Sequence, residues 1–558
     1  MFSVINKVLA LAALSSVSLA VHAQTWLQDV VNENKDVIDS IVVNKDDVYA
    51  GRYSYSSYRI YFHQPLEHAN PDGEQMPLRA VLLIRKGANL ATTLTQCCTT
   101  GYDIDDDMWN APSVYMGNWY YPNGMNEVAL KYKGNWLCME HRYFGKSVPK
   151  NYWKRVEYCT GEEAAADFHA LITALKTSLK GKWVMSGVSK GGIVVANQHA
   201  LYPDDVNLFM PYSAPFCDGM NDTSMMAYWT TNSWTDELRN QVKSFQRELI
   251  QNKQAYNYFK SWGESSFPGY SADFWRADYL MNVAMMDFQA HAYWSRQGLK
   301  DSLAINQTRK QKLMQQGYSS AYLDAIMAYY CTLSSYEAWD FLSAYNKTAH
   351  RAQEVVPVKE RLHRVFRPVS INKAAWDESG TAFDYQTLHE EGYFGLDFTY
   401  LYDADQQDLA ETCNREWIKG RGFVFDNPFN EDVEYDGTLR SKVLEATRTA
   451  KRPILYIYGG DDAWTGAAIP DDCIDGQLSY KYILNAQNHM ACLTSTSGKL
   501  QTELWNLVEQ LLNTPAGIEE NVKIEKLKNE RIYNLQGQRI NSLQRGINII
   551  DGKKVWVK

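Results

Sequence analysis

The stretch Trp183-Val184-Met185-Ser186-Gly187-Val188-Ser189-Lys190-Gly191-Gly192 limits the fold more than any other part of the chain. An apolar run leads into G-x-S-x-G and then into a helix-forming run from Ile193 to Leu201. Strand, tight turn and helix in that order make a nucleophile elbow, with a serine at the apex of a sharp turn. Gly187 and Gly191 leave room for the backbones that such a turn crowds together. Ser189 also opens a helix, where free backbone N–H groups face a developing negative charge. Ser189 is therefore the candidate nucleophile. The rest of the chain has to supply a base, an orienting acid and a pocket.

Apolar runs over 58–62, 78–84, 92–99 and 135–140 predict strands. Thr160, with Glu163 three residues on, is a capping-box pattern. It precedes a stripe of Ala164, Phe168, Leu171, Ile172, Leu175 and Leu179 at helical spacing. The elbow follows, and then a strand over 206–212. Alternating strands and helices imply a parallel sheet with right-handed crossovers. From about 216 to 449 strand-like runs become scarce and helical patterns rich in Trp, Tyr and Met dominate. Strands resume over 453–458 and 479–484, and an amphipathic helix is expected near 498–512. The expected division is a sheet domain over 24–215 and 450–514, a helical cap over 216–449, and a linker with a short β-rich tail over 515–558.

A serine hydroxyl is a poor nucleophile until a base takes its proton. In the α/β-hydrolase arrangement the partners follow in the order Ser, Asp or Glu, His. Of eleven histidines only His489 lies beyond the returning strand, just past the last sheet strand. Asp462 sits just past the strand before it, with Asp461 as the adjacent competitor. Asp462 is preferred, because its spacing from Gly459 lets the turn project the carboxylate back. His489 then takes the Ser189 proton, and Asp462 holds the imidazole tautomer and stabilises the imidazolium. The backbone N–H of Lys190 is one expected oxyanion donor. That of Tyr102, in the loop after the third strand, is the other. His141 and Arg142 precede the serine and suit hydrogen bonding inside the core. The expected fold class is α/β: an α/β-hydrolase with a large helical cap and a short C-terminal β-rich tail.

The net charge of −9 argues against nucleic acid or an anionic membrane as partner. Lys7, an apolar run over 8–19 and Val21-His22-Ala23 read as a signal peptide over 1–23. No other run approaches a membrane-spanning length. The expected location is therefore the periplasm, the cell surface or the medium. Export permits disulfides among the nine cysteines, whose odd number leaves at least one free thiol. There is no zinc-type spacing and no G-x-G-x-x-G after a strand, so no metal or cofactor is expected.

Glu140-His141-Arg142-Tyr143-Phe144-Gly145-Lys146-Ser147 resembles the E-H-R-Y-x-G-x-S stretch of prolylcarboxypeptidase and dipeptidyl peptidase II. Gly459-x-x-Asp462-Ala463-Trp464 resembles their G-x-x-D-P-W, and Asn488-His489 stands where they have H-H. Their elbow reads G-x-S-Y-G, whereas this chain has Lys190. The Ser-Lys-Gly-Gly elbow, the Thr-Gly-Tyr loop and the helical insertion resemble more closely the secreted bacterial prolyl tri/tetrapeptidyl aminopeptidases. That resemblance implies release of short peptides, tripeptides above all, from free N-termini, with proline at the cleaved bond. It implies Trp464 as a wall of the proline pocket, and acid groups in the cap, not identified by the sequence, for the substrate ammonium. The tail from Ile532 to Lys558 resembles short C-terminal tails associated with surface sorting. An acyl esterase and a catalytically inactive surface binding protein are the alternative readings.

Overall fold

The computed structural model describes 26–330 except 45–46, 51–52, 111–122, 151–154, 220–221, 267–268 and 270. It also describes 333, 382–383, 385–393, 395, 398–401, 434–514 and four tail segments over 532–533, 539–540, 546–550 and 553–557. The expected signal peptide, Cys331, Cys413 and the linker over 515–530 lie outside these residues.

The sheet is built from β1 (Ile38–Val43), β2 (Val48–Ala50), β3 (Tyr53–Pro65), β4 (Gln75–Arg85), β5 (Thr95–Thr99) and β6 (Asn135–Met139). It continues with β7 (Trp183–Val188), β8 (Leu208–Tyr212), β9 (Ile454–Gly459) and β10 (Ser479–Leu484). The order is β1-β3-β4-β6-β5-β7-β8-β9-β10, with β2 paired to β3. The β1–β3, β3–β4 and β4–β6 pairs are antiparallel, and the remaining neighbours from β6 to β10 run parallel. This is an α/β-hydrolase sheet. The strand exchange β4-β6-β5-β7 puts the elbow strand in the middle, where both faces are covered.

Alternation along the parallel strands divides the core in two. Cys97, Trp183, Met185, Tyr456 and Tyr458 face one layer. Cys98, Val184, Val188, Leu455 and Ile457 face the other. Apolar residues on both faces are what a parallel strand covered by helices on each side requires. The first layer is closed by α1 (Gly161–Lys176) and α2 (Lys190–Leu201), the second by α3 (Gly498–Leu512). Thr160 caps α1 by accepting from the Glu163 N–H at 3.3 Å. The other half of the expected box is not made. The Glu163 carboxylate instead accepts from the His68 N–H at 3.0 Å and from Arg142 at 3.4 Å.

β1 and β2 were not expected from the polar, weakly patterned segment before residue 50. Between β8 and β9 the chain runs through helices Ser224–Thr231, Asp236–Gln251, Lys253–Ser266, Ala272–Tyr293, Arg296–Gln315 and Ser320–Tyr330. They bury a third core, which includes Trp229, Trp275, Tyr279 and Tyr322 and reaches Ala463 and Ala467 beside the acid turn. In the tail, β11 (Ile532–Tyr533), β12 (Arg539–Ile540), β13 (Gly546–Ile550) and β14 (Lys553–Val557) form a separate antiparallel sheet in the order β12-β11-β13-β14. Cys97, Cys98, Cys138, Cys159, Cys217, Cys473 and Cys492 are free thiols, so no disulfide joins the described cysteines. No described helix is long and apolar enough to cross a membrane.

Candidate active site

The elbow is built by close backbone approach. Ser189 takes φ 58° and ψ −122°, a region that costs a non-glycine residue on the order of 1–3 kcal/mol. Its N–H donates to the Tyr212 carbonyl at 2.8 Å, and its carbonyl receives the N–H groups of Gly192 and Ile193. A Cβ on Gly191 would lie 2.3 Å from the Thr99 carbonyl oxygen, and one on Gly187 would lie 2.3 Å from the Gly191 oxygen. Glycine at both positions is therefore what allows β5, β7 and α2 to converge under Ser189.

The acid and histidine loops converge in the same way. A Cβ on Gly459 would lie 2.1 Å from the Asn488 carbonyl oxygen. Gly460 N–H donates to Leu484 O and Asp461 N–H to Gln487 O, both at 2.8 Å. The Ser213 hydroxyl donates to the His489 carbonyl at 2.9 Å. Held in this way, Asp462 and His489 meet: Asp462 Oδ2 lies 2.8 Å from His489 Nδ1. The other carboxylate oxygen accepts from the Trp464 N–H at 3.1 Å. Asp462 is fully buried and His489 nearly so. Asp461, the sequence competitor, faces away from the imidazole and pairs with Arg296.

Ser189, Lys190, Tyr102 and Trp464 line one cavity of about 130 Å³, together with Met225, Phe383, Thr387, Glu391 and Tyr393. The Trp464 ring lies 4.5 Å from the His489 ring, which joins this cavity to the acid–histidine pair. The Tyr102 N–H donates to Thr100 Oγ1 at 3.0 Å, so in this structure it is committed within its own loop.

The Lys190 side chain runs into the cavity wall. Its ammonium donates to Glu391 Oε1 at 2.6 Å and to Gln386 Oε1 at 2.7 Å. It also lies 5.5 Å from the centre of the Phe144 ring and 5.9 Å from that of Tyr102. Behind it, burial and then the neighbouring Glu391 push the Glu390 carboxyl up to about 8, so it is largely protonated at neutral pH. Glu390 Oε1 accepts from the Gly161 N–H at 2.6 Å. Thr387 Oγ1, which is buried, has no hydrogen-bond partner among the described residues.

His141 and Arg142 belong to the core. Arg142 forms a fork on Asp167 at 2.7 and 2.8 Å and donates to the carbonyls of Pro65, Leu66 and Tyr158. Burial, and then the nearby Lys190 charge, hold His141 well below the usual imidazole range, hence neutral. No group of three or more His, Cys, Asp or Glu side chains suited to a metal ion occurs among the described residues. The placement of Glu391 and Thr387 at the cavity and of Arg296 against Asp461 was not visible in the sequence. Glu390-Glu391-Gly392 reads like any solvated acidic turn, and only the fold brings it to the elbow.

The profile of the serine carboxypeptidase S28 family matches residues 115–242, which include the elbow but neither Asp462 nor His489. The chain is 27% identical over 238 residues to a prolyl tri/tetrapeptidyl aminopeptidase of Streptomyces mobaraensis, covering 41% of this chain and 45% of that protein. It is 33% identical over 149 residues to the human lysosomal Pro-X carboxypeptidase, covering 23% of this chain and 29% of that one. The mouse counterpart matches at 33% over 141 residues, covering 21% and 29%. The chain thus spans less than half the length of the curated relatives it matches.

Proposed function

We propose that this chain is a serine peptidase of the S28 kind, an exported exopeptidase of proline-containing peptides. It removes short peptides, tripeptides foremost, from free N-termini, with proline at the cleaved bond. The observation that carries this reading is a single cavity lined by Ser189, Trp464 and Glu391, with the Asp462–His489 pair against one wall.

The chemistry follows from the arrangement. His489 Nδ1 is held by Asp462, which leaves Nε2 to take the Ser189 proton as Oγ attacks the carbonyl of the proline residue. The oxyanion is stabilised by the Lys190 N–H at the start of α2. Tyr102 is the proposed second donor, which requires its bond to Thr100 to give way. His489 then protonates the leaving amine, and water resolves the acyl-enzyme through the same groups in reverse. The proline ring packs against the Trp464 indole face. Glu391 is the only acid lining the cavity among the described residues, and it is the proposed partner of the substrate ammonium. The helices between β8 and β9 act as the cap that limits how much peptide enters.

Product identification on a free-amine Xaa-Xaa-Pro-Xaa peptide, beside the same peptide N-acetylated, tests the proposal. Release of the tripeptide from the free form alone is expected. Equal turnover of simple acyl esters without proline preference points to an esterase instead. No reaction of the folded protein with a fluorophosphonate points to a binding protein.

A further inference from the structure

Asp461 faces the helical insertion rather than the active site, and its contacts give it a role there. Arg296 grips its carboxylate with both arms, Nε to Oδ2 at 2.7 Å and Nη2 to Oδ1 at 2.6 Å. The Trp234 N–H donates to Oδ1 at 2.9 Å, and the Tyr228 hydroxyl donates to the Gly460 carbonyl at 3.1 Å. Three points of the insertion therefore hold the two residues that precede Asp462. The Asp461 N–H meanwhile holds Gln487 O, two residues before His489. A displacement of Asp461 moves both members of the Asp462–His489 hydrogen bond.

The placement of Arg296 is unfavourable for its own helix. It is the first residue of Arg296–Gln315, capped by Ser295 through the Gly298 N–H, so its charge lies at the positive end of the helix dipole. The ion pair offsets that. Asp461 is 1% exposed and the Arg296 side chain 30%, so the pair is shielded on its carboxylate side and counts for more than a fully exposed one. The planar fork also fixes the direction of the carboxylate, which an ammonium would not.

We infer that Arg296 is a positioning residue, which sets the geometry of the Asp462–His489 pair through Asp461 and so ties catalysis to the seating of the insertion. This rests on the reading of Ser189, Asp462 and His489 as the reacting groups. A misplacement of about 1 Å at such a site costs on the order of 100-fold in rate.

The test is the rate of Ser189 labelling by a fluorophosphonate across pH, which needs no peptide specificity, with thermal unfolding measured alongside. Arg296→Met is expected to slow labelling by about 10- to 100-fold and to move the pH of half-maximal rate. Arg296→Lys should restore only part of the rate, since one ammonium does not reproduce the fork. Labelling within twofold of the parent, with an unchanged pH profile, would overturn the inference even if the melting temperature fell. Where Arg296→Met does not fold, Arg296→Lys carries the same test: a parental rate and profile overturn the inference, and a slowed, shifted one upholds it. Failure of the parent protein to label, or labelling that persists in Ser189→Ala, refutes the catalytic reading itself.

Discussion

The serine turn and the acid turn meet at one cavity, and in each the residue next in sequence to the reacting group reaches into the insertion. Lys190, after Ser189, pairs with Glu391 at 2.6 Å. Asp461, before Asp462, pairs with Arg296 at 2.6 Å. The two tethers differ in what they face. Lys190 and Glu391 line the cavity, so that pair is part of the surface a substrate meets. Asp461 and Arg296 do not line it and act on the backbone behind the acid. In the proposed scheme the insertion is thus joined to binding through one turn and to catalysis through the other.

The largest effects belong to the reacting groups. Ser189→Ala should lower kcat by about four to six orders of magnitude, and Asp462→Asn by about four. A fluorophosphonate and a Pro-containing reporter should agree on both. If Asp462→Asn costs less than about tenfold while Asp461→Asn costs more than 100-fold, the two carboxylates have been assigned the wrong way round.

Lys190→Met tests the binding-side tether. It leaves Glu391, which is part-buried at the cavity wall, without its cation, and the loss of stability should stay below the about 3–5 kcal/mol of a fully buried pair. Adding Glu391→Gln should recover most of that. In the double variant KM for a free-amine peptide should rise by about tenfold or more, with fluorophosphonate labelling within about threefold of the parent. A fall in labelling equal to the loss of kcat/KM would mean that the two tethers do the same work.

How much was legible in advance follows the same division. The elbow geometry and the meeting of Asp462 with His489 could be read because each lies just past a short apolar strand, and strand order restricts where a base and an acid can stand. Trp464 came from resemblance, and the structure places it 4.5 Å from His489. The tethers could not be read. Lys190 to Glu391 spans 201 residues and Arg296 to Asp461 spans 165, and long-range pairs leave no local pattern. Glu163 shows the same limit at short range. Its capping-box position was clear, yet its carboxylate goes to His68 and Arg142, because a buried arginine and a neighbouring backbone N–H outcompete a helix end that already has its hydroxyl cap.

Gly459→Ala strikes both sides of the acid turn at once. The added methyl meets the Asn488 backbone oxygen at 2.1 Å, and neither backbone can give way without parting the loops. Overpacking of this kind costs about 1–3 kcal/mol. It should slow fluorophosphonate labelling more than it raises KM, as expected of the catalytic tether.

The smallest effect separates the tethers by pH. Glu390 lies behind the Lys190–Glu391 pair, near the Cys159 thiol, and burial raises its carboxyl to about 8 from an ordinary 4.5. Between those values the unfolded chain has released this proton while the folded chain still holds it. Stability therefore falls as pH rises through that window, by about 1 kcal/mol per unit, and the slope vanishes above about 8, where both states are ionised. Glu390→Gln should remove that slope from the melting temperature between pH 6 and 8. Asp278, also raised to about 8 by burial, adds a second slope of the same sign over the same window, and Asp278→Asn should remove it. Arg296 does not titrate in this window, since its hydrogen bonds to Asp461 raise it further above its already high value, so the guanidinium keeps its charge. If KM for the free-amine peptide changes across pH 6 to 8 in the parent and that change disappears in Glu390→Gln, while labelling of the two proteins follows one profile, the Glu390 proton acts on the binding side alone. A labelling profile that shifts with Glu390→Gln would show instead that the two turns are coupled through the insertion.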